Sequence, residues 1–520
     1  MQTGAGTAKA GRMEWIGLGV IALPCALYSM DLTILNLAVP SLSVDLKPTS
    51  VQLLWIVDIY GFMLAGSLMT MGTLGDRIGR RKLLLIGAGA FGAGSVLAAF
   101  STTAAMLIAT RALLGIAGAT LAPSTLSLIR NMFHDSHQRT VAIGVWIASL
   151  SAGSFIGPLV GGVLLERFGW RSAFLAGVPV MALLLVAGPR LLPEFKDPKA
   201  GAVDLISAVL SLGGVLLVIY GLKQIAQGGL QLRAGLSIVI GITIGVVFIR
   251  RQRRLVDPLI DLRLFRAAAF SASLATYTLA SLVAFGVFVY ISQYLQFVLG
   301  LSPLHAGLWT MPLGAAFIAG STLTPMIARR VRPADVIAGG LTLAAVGFTV
   351  LTQIGGGHDL VVIELGMVIF SLGLAPVFTV VNDVIVGTAS PERAGVVSAI
   401  SETGSEFGGA IGIAILGSLG TAVYRRVMAD ALPYGLSTDA AAAARDTIGG
   451  ALAVAERLSD PLRIELVGVA RHAFTQAMVW VLIASAATVL ITAIVTAMVL
   501  RRDGASAESG AGTALDDEAA

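Results

Sequence analysis

The sequence predicts an all-α membrane protein: two six-helix bundles with two further transmembrane helices inserted between them. Three observations carry that prediction. Hydrophobic residues make up 56% of the 520-residue chain and charged residues only 12%, about half of the ~25% that a soluble domain uses to cover its surface. Apolar runs of about 20 residues, long enough to cross a bilayer, recur along the chain between short polar connections. Lysine and arginine gather on alternate connections, following the positive-inside bias of membrane proteins. The same composition excludes a disordered chain and a basic nucleic-acid binder, so the expected surroundings are lipid bilayer and not nucleic acid. The single cysteine, Cys25, excludes a disulfide framework and any multi-cysteine metal site. The first apolar run, from Trp15 to about Leu42, is too long for a cleavable signal peptide and lacks a cleavage site.

Fourteen spans are read at roughly 15–42, 51–74, 83–101, 105–129, 140–165, 172–192, 203–222, 234–250, 270–298, 306–328, 335–354, 361–388, 395–422 and 474–500. Residues 1–200 form the N-terminal six-helix bundle and 201–255 the two inserted helices. Residues 256–502 form the C-terminal bundle, which carries a long outer loop at 423–473. The Gly/Ala/Ser/Asp-rich tail 503–520 is expected to be a disordered cytoplasmic segment. With the N-terminus inside, the clusters Arg80-Arg81-Lys82, Arg250-Arg251, Arg253-Arg254 and Arg329-Arg330 are all cytoplasmic. The short outer loops then hold only Lys47, Arg167, Arg171, Lys223 and Arg233. An even number of spans puts both termini in the cytoplasm. The loops Gly72–Lys82 and Pro325–Asp335 both follow an outside-to-inside span and both cluster arginines. This faint repeat suits the two-halved plan of secondary transporters.

The loop GTLGDRIGRRK is the most specific segment. Its glycines, Gly72, Gly75 and Gly79, allow tight turning and close helix approach. Asp76 can cap a helix or pair with an arginine of a neighbouring span, while Arg77, Arg80 and Arg81 supply the basic cluster. A plain topology anchor would need the basic run but not the acid or the spaced glycines. The fourth span holds Arg111 inside apolar sequence, at a cost of roughly 2.5–3.5 kcal/mol on insertion scales. That residue should turn inward onto a carboxylate or carbonyl, or else pack near a helix end. The fifth span reads GSFIGPLVGG, with Gly153, Gly157, Gly161 and Gly162 allowing close packing and Pro158 removing a backbone hydrogen bond. A plain packing face is the simpler reading of that run.

Carboxylates inside spans are the centre of any mechanism. Asp31, Asp58, Asp383, Glu402 and Glu406 lie within apolar stretches, and Glu364 lies near the end of one. Each costs several kcal/mol in hydrocarbon and needs a cavity, a partner or a proton. Burial favours the protonated form of a carboxylic acid. Such a group can hold a proton or an organic cation in turn, which is the exchange that antiport requires. Glu402 and Glu406 are four residues apart and share a helix face, with glycines at 404, 408, 409 and 412 leaving room for a substrate or a helix. Trp55, Tyr60, Trp146, Tyr294 and Trp309 could stack on planar cations, although most aromatics in spans face lipid or form interfacial belts. No nucleophile triad, metal cluster or P-loop is found, so neither an enzyme nor a cofactor is expected, and the energy source should be an ion gradient.

These segments resemble the major facilitator superfamily. The Gly72–Lys82 loop looks like its motif A, Leu107–Gly118 like motif B, and Gly153–Gly162 like motif C, the antiporter motif. Segments around Asp31 and Asp58, together with Gly169-Trp170-Arg171 and Asp257–Phe265, resemble the fourteen-span drug:proton antiporters, with wording close to the QacA/SmvA/LfrA type of cationic-drug exporters. The resemblance covers most of the chain and is weakest in 423–473 and the tail. It implies a proton-coupled antiporter of the cell membrane, acting as a monomer, that exports lipophilic organic cations such as quaternary ammonium compounds and cationic dyes. It further implies that Asp31, Asp58 and Glu402, with Glu406 near another such position, are coupling or cation-binding acids, and that Arg111 takes part in proton coupling. The tenth span departs from it: Gly314-Ala315-Ala316-Phe317 has no acid where some relatives that handle dications have one, and Asp383 could substitute only in part. Export of an endogenous anionic or neutral metabolite or antibiotic is the alternative within transport. A polytopic membrane acyl- or glycosyltransferase would need paired catalytic residues at the membrane surface, and no convincing pair is present.

Overall fold

The computed structural model describes residues 10–196, 204–228, 231–255, 258, 262–387 and 394–518. Among them there are helices and no strands, as a chain that must satisfy its backbone hydrogen bonds inside hydrocarbon requires. In chain order the helices are α1 (Arg12–Leu46), α2 (Ser50–Ile78), α3 (Arg80–Ala99), α4 (Ala104–Gly118), α5 (Leu121–Met132), α6 (Ser136–Phe168), α7 (Arg171–Leu175), α8 (Gly177–Leu191), α9 (Leu205–Gly228) and α10 (Leu232–Gln252). They continue with α11 (Ala268–Gln293), α12 (Pro303–Ala328), α13 (Pro333–Leu351), α14 (Asp359–Gly387), α15 (Ala394–Ala431), α16 (Thr438–Asp446), α17 (Ile448–Ala455) and α18 (Asp460–Glu518). A π-turn at Tyr294–Val298 ends α11.

Thirteen helical stretches among the described residues are long and apolar enough to cross a membrane. The remaining expected span falls on α6, whose 33 residues rise about 50 Å at 1.5 Å each. The exposed side chains between Leu236 and Ile249 of α10 are Leu236, Val239, Ile240, Ile242, Val246, Val247 and Ile249 together with Thr243, a largely apolar face suited to lipid and not to water. The last helix runs on from its apolar part through the tail, which composition alone marks as a segment without fixed structure.

Two compact units divide the chain. One comprises Met1–Phe248, Val289–Met311 and Thr421–Phe474, the other Ile249–Phe288, Pro312–Gly420 and Thr475–Ala520. Each contains a seam of glycines. In the first unit Gly153, Gly157 and Gly161, four residues apart and so on one face of α6, sit on α1. A Cβ at Gly153 would strike the backbone of Ala26, one at Gly157 the hydroxyl of Thr33, and one at Gly161 the side chain of Ile34. In the second unit Gly404, Gly408 and Gly412 repeat the spacing on α15 and face Leu274, Thr278 and Leu282 of α11. The room left beside Glu402 and Glu406 is thus filled by a helix.

The segment 423–473 is ordered. Asp446, at the end of α16, accepts from the backbone N–H and the hydroxyl of Ser50, both at 2.8 Å, and so caps α2. Gly449 packs on Ser43. Tyr424 donates to the Ala444 carbonyl at 3.0 Å, and Arg471 Nε donates to the Phe297 carbonyl at 3.1 Å.

Candidate functional site

The chemistry concentrates on the first half of α2. Its start is legible in the sequence: Thr49 accepts from the Gln52 N–H at 3.2 Å and the Gln52 side chain accepts from the Thr49 N–H at 3.0 Å, a capping box. The helix then presents Trp55, Ile56, Asp58 and Tyr60 within two turns, and two buried bases converge on them.

The first base is Arg111, in the middle of α4. Its side chain is 1% exposed and that of Asp31, on α1, 12%. Arg111 Nη1 donates to Asp31 Oδ2 at 2.9 Å and Nε donates to the Ile56 carbonyl at 3.2 Å. The guanidinium carbon lies 4.8 Å from the centre of the Tyr60 ring. A glycine makes this approach possible, because a Cβ on Gly115 would meet the Tyr60 carbonyl oxygen at 2.5 Å. The inward-turned arginine expected from its cost in hydrocarbon is therefore observed, with a carboxylate, a carbonyl and an aromatic face as partners.

The second base is Lys223 of α9, and its position corrects the reading of the sequence. The sequence places Lys223 in a short outer loop. The helix instead continues to Gly228, and Lys223 and Asp58 are both fully buried with Nζ 2.7 Å from Oδ2. The ammonium also sits 3.8 Å from the centre of the Trp55 ring. Gly66 lets α9 close on α2, since a Cβ there would overlap Leu212. The signal in the sequence is the apolar Ile225-Ala226 beyond Lys223: a span drawn to residue 228 would have enclosed it.

Each of these two carboxylates therefore has a basic partner, and the interior is less negative than the acids alone suggest. Trp55 and Tyr60, expected to stack on planar substrate cations, instead lie against basic side chains of the protein itself. The other aromatics divide. Tyr294 is fully buried, Trp146 donates to the Thr125 hydroxyl at 3.1 Å, and Trp309 is half-buried. In the second unit Glu406 is 9% exposed, whereas Asp383 on α14 is exposed. The Glu402 side chain lies outside the described residues, although its helix position is described.

Gly79 joins α2 to α3 at φ +115°, a conformation that a side chain rarely tolerates. Its missing Cβ also makes way for Glu194, whose nearest oxygen would lie 2.5 Å away. Glu194 accepts from the N–H groups of Arg81 at 3.1 Å and Lys82 at 3.2 Å, so it caps α3. Arg81 Nη1 donates to the Leu192 carbonyl at 3.0 Å. Asp76 does not reach for another span: it pairs with Arg80, one turn away, and Arg80 Nη1 donates to the Pro123 carbonyl at 3.4 Å. Gly75 packs on Arg80, Gly72 stands open toward Pro123, and Arg77 is exposed. Glu194 was not singled out from the sequence, where its only signal is an acid just after an inner span end.

In the Gly153–Gly162 run, Gly162 abuts the backbone of Pro303 and Leu304, while the Pro158 carbonyl fills the space a Cβ on Gly307 would need. Residues 22–413 match the Major Facilitator Superfamily. The chain belongs to the major facilitator superfamily. It is accordingly a multi-pass membrane transporter and not an enzyme.

Within the superfamily the chain is 41% identical over 496 residues to the Multidrug efflux pump LfrA of Mycolicibacterium smegmatis, covering 95% of this chain and 98% of that protein. It is 34% identical over 462 residues to the Methyl viologen resistance protein SmvA of Salmonella typhimurium, covering 89% and 93%. Among solved structures it superposes on a bacterial homologue of the human lysosomal transporter Spinster, in an inward-facing and unoccupied conformation, with a TM-score of 0.67 at 18% identity, covering 94% of this chain and 98% of that one. The last likeness concerns the fold alone.

Proposed function

We propose that the protein is a proton-coupled antiporter that exports lipophilic organic cations, including quaternary ammonium compounds, cationic dyes and drugs, across the cell membrane, with both termini cytoplasmic and the monomer as the working unit. The observation that carries this reading is the Asp31–Arg111 pair. Arg111 has the Ile56 carbonyl and the Tyr60 face in addition to Asp31, so it keeps partners when the carboxylate changes state. Asp31 retains some exposure and can trade the guanidinium for a proton or for an organic cation. Proton and cation then compete for one carboxylate, which is antiport in its minimal form. The names of the multidrug and methyl viologen relatives favour drug export, and the second favours a dication among the cargo despite the missing acid of the tenth span.

Ethidium efflux from energised cells tests the proposal. Efflux should occur and should stop when an uncoupler collapses the proton gradient. Absent efflux, or efflux indifferent to the uncoupler, rejects it. Asp31→Asn should abolish coupled efflux with the protein still present in the membrane.

A second reading is export of an anionic or neutral metabolite or antibiotic. Its support is that Arg111 and Lys223 match the charges of Asp31 and Asp58, leaving the first half of α2 without net charge. A panel of anionic and neutral compounds beside ethidium distinguishes the two readings.

A further inference from the structure

Lys223 has no part in the exchange just described, yet its side chain is fully buried. Its surroundings have a definite chemistry. Trp55 and Asp58 are three residues apart and share one face of α2. One supplies an indole face and the other a carboxylate, the two groups that together recognise an organic ammonium. The Lys223 ammonium touches both, at 3.8 Å from the ring centre and 2.7 Å from Oδ2. The ammonium is thus held by one carboxylate oxygen and one ring face, on a flexible four-carbon stem. Trp55 itself is only half-buried.

We infer that Trp55 and Asp58 form an ammonium-binding site in which Lys223 is the resident cation, and that a transported organic cation must displace the lysine to bind there. The inserted helix α9 thereby supplies an internal competitor. Lys223 keeps the Asp58 charge matched while no cargo is bound, and it sets a threshold that weakly binding cations do not pass. A specificity-determining role follows: a cation is accepted when its ring stacking on Trp55 outcompetes a tethered ammonium. The inference rests on the cation-export reading.

Equilibrium binding of ethidium to the purified full-length protein, followed by fluorescence polarisation with no ion gradient, tests it. Lys223→Met should bind ethidium at least tenfold more tightly than the wild type. Lys223→Arg, which keeps a cation in place, should not bind more tightly than the wild type. Asp58→Asn/Lys223→Met, which removes both charges and leaves no buried ion unpaired, should lose the gain. Unchanged or weaker binding by folded Lys223→Met, beside a wild type that does bind, overturns the inference while leaving cation export standing. A wild type that neither binds nor exports any organic monocation overturns both. A measurement on the wild type needs no variant: reductive methylation of lysines, read by peptide mass spectrometry, should modify Lys223 severalfold more when ethidium is saturating. Equal modification with and without ethidium overturns the displacement.

Discussion

Two buried ion pairs flank α2, and they are held in different ways. Arg111 comes from α4, inside the first helical bundle, and has three partners: the Asp31 carboxylate, the Ile56 carbonyl and the Tyr60 ring. Lys223 comes from the inserted helix α9 and has two partners, the Asp58 carboxylate and the Trp55 ring. A guanidinium is a rigid fork of five donors, whereas an ammonium is a point charge on a flexible stem. Arg111 is therefore a fixture around which Asp31 can change state, and Lys223 is an occupant that can leave. Exposure runs the same way: Asp31 is 12% exposed and can be reached, while Asp58 is covered for as long as Lys223 is in place.

Removing one member of each pair sharpens the contrast most. Asp58→Asn strands the Lys223 ammonium in a fully buried position, which costs about 3–5 kcal/mol. A large fall in the thermal unfolding midpoint of the purified protein is expected, larger than for Asp31→Asn, whose arginine keeps two other partners. Equal losses for the two variants would erase the distinction. Asp58→Asn/Lys223→Met should recover much of the loss.

Arg111→Lys is the complementary change. It keeps the charge but cannot span a carboxylate, a carbonyl and a ring at once. Ethidium efflux should fall at least tenfold with normal amounts in the membrane; efflux close to wild type would make Arg111 as replaceable as Lys223 is argued to be.

The helix seams offer a test away from charge. Gly157→Val thrusts a branched side chain into the Thr33 hydroxyl on α1, and overpacking of this kind costs roughly 1–3 kcal/mol. Gly408→Val presses on the Thr278 backbone in the second unit and should cost a similar amount, so thermal unfolding of the two variants compares the seams directly.

The motif A turn should respond least. Gly79→Ala combines a positive φ with a crowded Glu194, for about 1–2 kcal/mol. Glu194→Ala removes one helix cap, for ~1 kcal/mol. Both are readable as small shifts of the unfolding midpoint.

The sequence disclosed a good deal of this. Hydropathy located the helices because a bilayer imposes a minimum apolar length, and the Gly153, Gly157, Gly161 spacing announced a packing face because four residues are nearly one helical turn. Arg111 and the acids stood out because charge in apolar sequence is costly wherever it falls. Gly79 stood out in the Gly72–Lys82 loop, although the reason it must be glycine, the Glu194 carboxylate in the place of its Cβ, lies far along the chain. Lys223 was missed because span ends are poorly marked: a lysine one turn from the end of a helix reads as the start of a loop.

The amino-acid sequence by itself determined that this chain crosses a membrane many times, which residues are expensive to bury, and which helix faces are smooth. Tertiary structure alone decided which charge neutralises which. An ion pair is set by distance in space, and each of these acids meets its base on a different helix, Asp31 on Arg111 and Asp58 on Lys223. Composition shows that buried acids need partners. Only the packing of α9 against α2 shows that one of those partners is the protein's own ammonium.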